Sequence, residues 1–308
     1  MSKRVIITVV IAAALGLAGS YLFSGLGFHP VPDDGDQPGD PDSPPERIIC
    51  MSPSVTELVF ALGQGERVVG VSQHVVHPPG AMDKPRCGGF VNPNFERIMA
   101  LKPDLVVTQG LAKEVRRFAD EQGLRCLTLE ITDLNSIYSV IDELGRTLKC
   151  PQEADRLTRR IKTGLEAVKT QAEDHPTAST FLVIGREPGS LRNLHTIGPG
   201  SYLADVLQIA GGQNLFSDLD KQYGTVNKEA LAERQPEAIV ELHGEGMMSA
   251  AKRRQVRQTW GQMAALPAVR NGRICVITET YALIPGPRIV KLARDLARCI
   301  HPEEINTQ

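Results

Sequence analysis

One uninterrupted amphipathic run, residues 151–174, constrains this chain more than any other stretch, because it has to be housed as a single stiff rod. Ala154, Leu157, Ile161, Leu165, Val168 and Ala172 recur at intervals of three or four, with Arg159, Arg160, Lys162 and Glu166 between them. That is the 3.6-residue period of a helix with one apolar stripe. Pro151 suits a first turn, where its missing N–H had no intrahelical partner, and Glu153 and Asp155 suit the positive end of the helix dipole. His175-Pro176 marks the stop. At 1.5 Å per residue the run gives about 36 Å, enough to cross the back of two lobes and set their spacing. An ordinary surface helix inside one domain fits the same pattern, so the flanking halves decide.

The chain opens with Lys3-Arg4 and then residues 5–28, which carry no charge and exceed the roughly 20 apolar residues a bilayer-spanning helix needs. Residues 1–28 therefore read as a signal peptide or a signal anchor, with small residues at 16–20 as a cleavage site in the first case. Ser20 stands where a lipid-bearing cysteine is required, so this string gives no lipid anchor. Lys3 and Arg4 place the remainder outside the cytoplasm, in the periplasm or at the cell surface, tethered to the inner membrane if the segment is retained. Residues 29–46 hold six prolines and six acids with almost nothing apolar, which predicts a disordered spacer.

The folded part is expected from residue 47 to about 300, enough for one bilobed protein. The formal charge of −2 includes −4 from residues 1–46, leaving +2, and neither balance suits nucleic acid. Six cysteines form no CxxC pair; Cys50, Cys126 and Cys275 lie in strand-like runs and are expected as buried free thiols.

Before the long run, residues 47–51, 67–71, 104–108 and 125–129 read as strands, each followed by loop or helix signals. Residues 55–62 have helical spacing, with Ser54 expected as N-cap and Glu57 completing a capping box. After the run, 181–185, 237–242 and 274–278 read as strands and 201–209 as a helix capped by Ser201. This alternation predicts an α/β fold with mainly parallel sheets flanked by helices. In such sheets ligands gather at loops leaving the carboxyl ends of strands. The candidate loops are 52–54, 72–79, 88–94, 109–110, 186–195, 243–246 and 281–287, together with Tyr223. No GxGxxG or GxxxxGKS loop is present, which argues against a nucleotide enzyme.

The strings SPSVTELVFALGQGERVVGVS, HPP and GGFVNPNFERIMALKPDLVV resemble the first lobe of the periplasmic binding proteins that serve cobalamin and iron-siderophore ABC importers. SYLADVLQIAGGQNLF, VNKEALAERQPEAIVEL and GPRIVKLARDLARCI resemble the second lobe, in the same order, so the resemblance covers residues 47–300. It implies a lobe at 47–150, a backbone helix at 151–174 and a second lobe at 175–308. It also implies a monomeric carrier without cofactor or catalysis, holding a metal chelate such as cobalamin or a ferric siderophore between its lobes and passing it to an ABC permease. Glu96 and Glu229 occupy the places of the two surface carboxylates that meet permease arginines in that family; by themselves they read as helix N-terminal acids. The ligand-binding set is Ser52, His74, His77, Phe90, Arg186, Tyr223, His243, Tyr281 and Arg288. Phe90, Tyr223 and Tyr281 offer flat faces, with lobe packing as their alternative, and Phe90 and Tyr223 fall where cobalamin-binding relatives place tryptophans. Arg186, Arg192 and Arg288 suit oxygen-rich groups, with a structural ion pair as the alternative for Arg288. His74 and His77 replace tyrosines common in that loop.

Three rivals stand beside this reading. Haem or a transition metal would use His74, His77, His195 and His243. A metal-dependent hydrolase would use Glu241, His243 and Glu245, and a sensor or adaptor would keep the fold without transport.

Overall fold

The computed structural model describes residues 43–302 except Phe90, Leu111 and Glu245. The segment at 5–28 and most of the acidic spacer lie outside the described residues, and among those described no helix is long and apolar enough to cross a membrane.

The first half runs β1 (Ile48–Cys50), α1 (Pro53–Ala61), β2 (Val68–Val71), α2 (Pro79–Met82), α3 (Phe95–Ala100), β3 (Leu105–Gln109), α4 (Lys113–Glu121), β4 (Cys126–Leu129) and α5 (Leu134–Thr147). Its four strands form a parallel sheet in the order β2-β1-β3-β4, with Ile48 opposite both Val68 and Leu105. Residues Ile48, Ile49 and Cys50 are all fully buried, which is why this strand reads as a continuous apolar run rather than an alternating one. The chain leaves β1 toward one edge and returns to β3 on the other side, so the loops after these two strands diverge at a topological switch point.

Next comes α6 (Pro151–Glu173), with Pro151 in its first turn and the stripe Ala154, Leu157, Ile161, Leu165, Val168 and Ala172 buried, as the period predicts. From Ala154 to Val168 that stripe shares one core with Ile137 and Leu144 of α5 on the first-lobe side. Each fully buried Leu, Ile or Val contributes about 1.5–3 kcal/mol relative to exposure.

The second half runs β5 (Ala178–Gly185), β6 (Leu194–Ile197), α7 (Tyr202–Ile209), β7 (Gly212–Asn214), β8 (Tyr223–Val226), α8 (Lys228–Arg234), β9 (Ala238–Leu242), α9 (Ala250–Trp260), α10 (Pro267–Arg270), β10 (Ile274–Ile277) and α11 (Ile289–Ile300). Leu292 and Leu296 of α11 join the core beneath α6. Its sheet follows the order β10-β9-β5-β6-β8. β10, β9 and β5 are parallel, while β6 and β8 run antiparallel at one edge. β7 takes the other end of that same side of β5. A second core around Phe181, Phe216 and Trp260 packs beneath this sheet, with both Phe216 and Trp260 edge-on to Phe181. The fold is thus α/β in two lobes on one long helix, and the antiparallel edge is its departure from the expected parallel pattern.

Two local expectations are corrected. The N-cap of α1 is Ser52, not Ser54, because Pro53 takes the first helical position and Ser52 Oγ accepts from the Val55 N–H at 3.2 Å. Ser54 is instead buried and its hydroxyl donates to the Pro285 carbonyl of the other lobe. Cys275 is not a free thiol: it is bonded to Cys299, tying β10 to α11. Cys50 is free, and burial pushes its thiol up to about 12.

Candidate functional site

The seam between the lobes is bridged at two places. At one, Arg288 donates from Nε to Glu57 Oε2 at 2.8 Å and from Nη2 to Glu57 Oε1 at 2.5 Å, a fork that joins α11 to α1. Its remaining nitrogen donates to Thr280 Oγ1 at 2.9 Å, and the guanidinium lies 5.2 Å from the Tyr281 ring centroid. Ser54 and Pro285 meet beside this pair. At the other, the Tyr202 N–H donates to Thr132 O at 2.8 Å and the Leu134 N–H to Asp205 Oδ2 at 2.9 Å.

At the switch point of the first sheet, the Ser52 hydroxyl lies 3.2 Å from Gln109 Oε1, so the loops after β1 and β3 touch. The neighbouring loop is pinned by Arg86, which donates to Ser72 O, Val75 O and Met82 O. Pinning leaves His74 exposed against the Gln73 side chain at 3.1 Å. His77 turns toward the seam, where burial first, and then the charge of Arg288, lowers its pKa. The bond from His77 to Pro78 is cis.

The second lobe supplies the best-built polar group. Glu241, at the end of β9, is 1% exposed and accepts from Arg186 Nε at 2.8 Å and Trp260 Nε1 at 2.5 Å on one oxygen. Its other oxygen meets His243 Nε2 at 3.0 Å. Burial works against this carboxylate, but the His243 hydrogen bond, the Arg186 charge and the indole N–H together hold its pKa below the ordinary value. Arg186 also donates to Ser190 O at 2.8 Å, which fixes the loop after β5. Above this group opens a cavity of about 400 Å³ at the carboxyl ends of β5 and β9, walled by Ile184, Val256 and Leu283 and edged by Arg186 and His243. Such a group, an ionised carboxylate with an arginine and an imidazole bonded to it, can orient an oxygen-rich ligand.

The other expected residues are placed as follows. Tyr281 is half-buried and its hydroxyl donates to Asp295 Oδ2 at 2.6 Å, within its own lobe. Tyr223 opens edge strand β8 and is 41% exposed, free to offer its face. Arg192 is exposed and pairs with Glu187. Phe90 and Glu245 lie outside the described residues. The four histidines named for a metal are not brought together: His195 bonds Thr225 at 2.9 Å on the β6–β8 edge, His243 bonds Glu241, and His74 and His77 face different surroundings. Among the described residues no three His, Cys, Asp or Glu side chains gather as a metal site.

Glu96 and Glu229 have the same local setting in opposite lobes. Each is exposed in the first turn of its helix, behind an asparagine N-cap whose side chain accepts from the Arg97 N–H at 2.8 Å or the Ala230 N–H at 2.9 Å. The cap satisfies the helix end, so each carboxylate is left to face solvent.

Sequence reasoning missed Glu57 and Trp260 as partners of Arg288 and Glu241. A charged residue at 57 among Val55, Leu58 and Val59 was the available signal, since a buried carboxylate requires a cation.

Residues 48–281 match the family described as periplasmic binding protein. An ABC transporter substrate-binding lipoprotein of Bacillus subtilis (strain 168), YvrC, is 28% identical over 84% of this chain and 81% of its own length. The vitamin B12-binding protein of Vibrio cholerae (El Tor Inaba N16961) is 26% identical over 80% of this chain and 85% of its own. The crystal structure of a periplasmic heme-binding protein from Pseudomonas aeruginosa superposes with a TM-score of 0.72 at 26% identity, covering 84% of this chain and 94% of that one.

Proposed function

The chain belongs to the periplasmic binding protein family, and on that premise we propose that it is an extracytoplasmic solute-binding protein that captures a metal chelate between its lobes for an ABC importer. The observation that carries this is the cavity of the second lobe at the carboxyl ends of β5 and β9, where the hydrogen-bonded Arg186–Glu241–His243 group stands beside apolar walls. A large planar or oxygen-rich chelate is recognised by such a mixture: burial of its apolar faces contributes about 25 cal/mol per Å², and the polar groups set its orientation. Corrinoid and ferric siderophore are the ligands of this reading. Haem is the second, favoured by the heme-binding neighbour, with the exposed Tyr223 as an aromatic group to offer it.

In this reading Glu96 and Glu229 meet the permease, one per lobe, and the protein performs no chemistry. An uncleaved N-terminal segment would tether it to the inner membrane.

Titration of the full-length chain with cyanocobalamin, cobinamide, haemin and ferric siderophores, followed by Trp260 fluorescence, tests the capture step, because Trp260 hydrogen-bonds the group lining the cavity. Saturable binding of one class is expected; no binding of any of them rejects the proposal. Replacing Glu96 and Glu229 with alanine should abolish uptake in cells while leaving that titration unchanged, and normal uptake by the variant rejects the docking roles.

A further inference from the structure

On the flank of the seam, α1, the His77–Pro78 turn, α6 and α11 enclose a cavity of about 550 Å³ that contains none of the Arg186, Glu241 or His243 group. Its lining is strongly basic. The one carboxylate in it, Glu57, is occupied by the Arg288 fork. Arg160 of α6 and Lys291 and Arg294 of α11 remain, all exposed and none with an ion-pair partner among the described residues.

This contrasts with the rest of the same two helices. Arg156 pairs with Glu153 and Lys169 with Glu173 along α6, and Arg298 pairs with Asp295 on α11. Asp295, one turn from Lys291, is also held by the Tyr281 hydroxyl. No acid stands three or four residues from Arg160 or Arg294. Several cations of the two helices are thus paired, while these three stand without an ion pair around one concavity.

On a convex face three cations would simply be hydrated. Here the wall between them is apolar, formed by Phe60, Pro78, Ile161 and Val290. The backbones that carry the cations are also packed together. A Cβ on Gly164 would stand 2.8 Å from Val290 Cγ1, so α6 and α11 pack closely at the floor and carry Arg160 and the pair Lys291 and Arg294 on two abutting helices. Guanidinium and ammonium groups suit the oxygens of phosphate and carboxylate.

We propose that this cavity is a second ligand site, for a small organic anion whose phosphate or carboxylate groups are held by Arg160, Lys291 and Arg294 and whose apolar body rests on Phe60, Ile161 and Val290. The proposal does not depend on which chelate occupies the cleft. Because α1 and α11 belong to opposite lobes, an occupant also ties the seam together and stabilises the folded protein by mass action.

Calorimetric titration of the full-length chain with phenyl phosphate and with inorganic phosphate tests this. Phenyl phosphate should bind at one site at least fivefold more tightly than phosphate, weaken steeply between 50 and 500 mM NaCl, and lose at least tenfold in the R160Q/K291Q/R294Q variant. The charge-conserving R160K/K291R/R294K variant should retain binding to within threefold, and each variant should keep its affinity for whichever of cyanocobalamin, haemin or a ferric hydroxamate the parent binds. Absence of saturable binding, equal affinity in parent and glutamine variant, or indifference to salt overturns the proposal. Loss of the cleft ligand together with phenyl phosphate also overturns it, since the cavity would then be part of the cleft. Co-sedimentation with vesicles of phosphatidylglycerol and phosphatidylcholine separates the sources: capture by vesicles that the glutamine variant loses, with no phenyl phosphate binding, reassigns the cations to a lipid headgroup and overturns the small-molecule site.

Discussion

Removing the carboxylate of Glu57 separates the seam from every other contribution to stability. The Glu57 side chain is 2% exposed and that of Arg288 12%, and the pair makes two hydrogen bonds across the lobes. Deleting one member of a buried ion pair costs about 3–5 kcal/mol, mostly because the other charge is left behind. Arg288 keeps Thr280 and the Tyr281 ring, and it borders a cavity that admits water, so the low end applies. Glu57→Ala should therefore cost about 3 kcal/mol by urea unfolding, which for a folded unit of this size lowers the melting temperature by roughly 6–12 °C. Glu57→Leu combined with Arg288→Met removes both charges and fills the space, so it should lie within about 1 kcal/mol of the parent, and the cycle should show coupling of at least about 2 kcal/mol. A loss under 0.5 kcal/mol for Glu57→Ala, or a double variant equal to the sum of its singles, refutes this account of the seam.

Three other outcomes follow from particular residues. The Glu241 carboxyl titrates below its ordinary 4.5 in the folded state, so the unfolded chain takes up the proton first as pH falls. Its stabilisation is complete above about pH 5 and is lost as pH drops through the lowered value; Glu241→Gln should flatten unfolding free energy against pH between about 5 and 3, and equal slopes would refute the assignment. Gly198→Ala would place a Cβ 1.9 Å from the Lys221 carbonyl oxygen, a backbone atom that cannot swing aside, so calorimetry should show a loss of about 1–3 kcal/mol. Replacing Cys275 and Cys299 with alanine opens a loop with a sequence separation of 24, worth roughly 3 kcal/mol, and an unchanged melting temperature under reducing and oxidising conditions would deny that the bridge stabilises.

Which parts of this were legible in the residues follows from the range of the interactions involved. The stripe of α6 could be read directly, since its period is continuous over 23 residues and nothing interrupts it. The strands β1, β3, β5 and β9 were visible as apolar runs bounded by turn residues, the mark of strands buried on both faces. β7 was not: Gly212–Asn214 is three residues long, with no apolar side chain to report its face. β8 alternates exposed and partly buried positions and, among the described residues, pairs only with β6, so its place at an antiparallel edge depends on contacts the local pattern does not carry. The cap of α1 was legible and misread, because Pro53 at the first helical position points to the serine before it rather than the one after. The Glu57–Arg288 pair joins residues 231 apart, and the bond of Cys275 to Cys299 is one of many connectivities six cysteines allow.

The seam itself bears on how such a carrier can signal occupancy. A hinge that closes widely needs one flexible crossing between lobes. Here the chain crosses on a helix with one stripe buried along its length, and two side-chain and backbone bridges flank that crossing: Glu57–Arg288 with Ser54–Pro285, and Thr132–Tyr202 with Leu134–Asp205. Opening the lobes at this place would break a buried ion pair. The separation of Glu96 and Glu229, each fixed behind its own asparagine cap, would then differ little between empty and loaded protein. If a permease reads those two carboxylates it would dock either form, and discrimination between them would then fall to the surface around the cavity edged by His243 and Leu283.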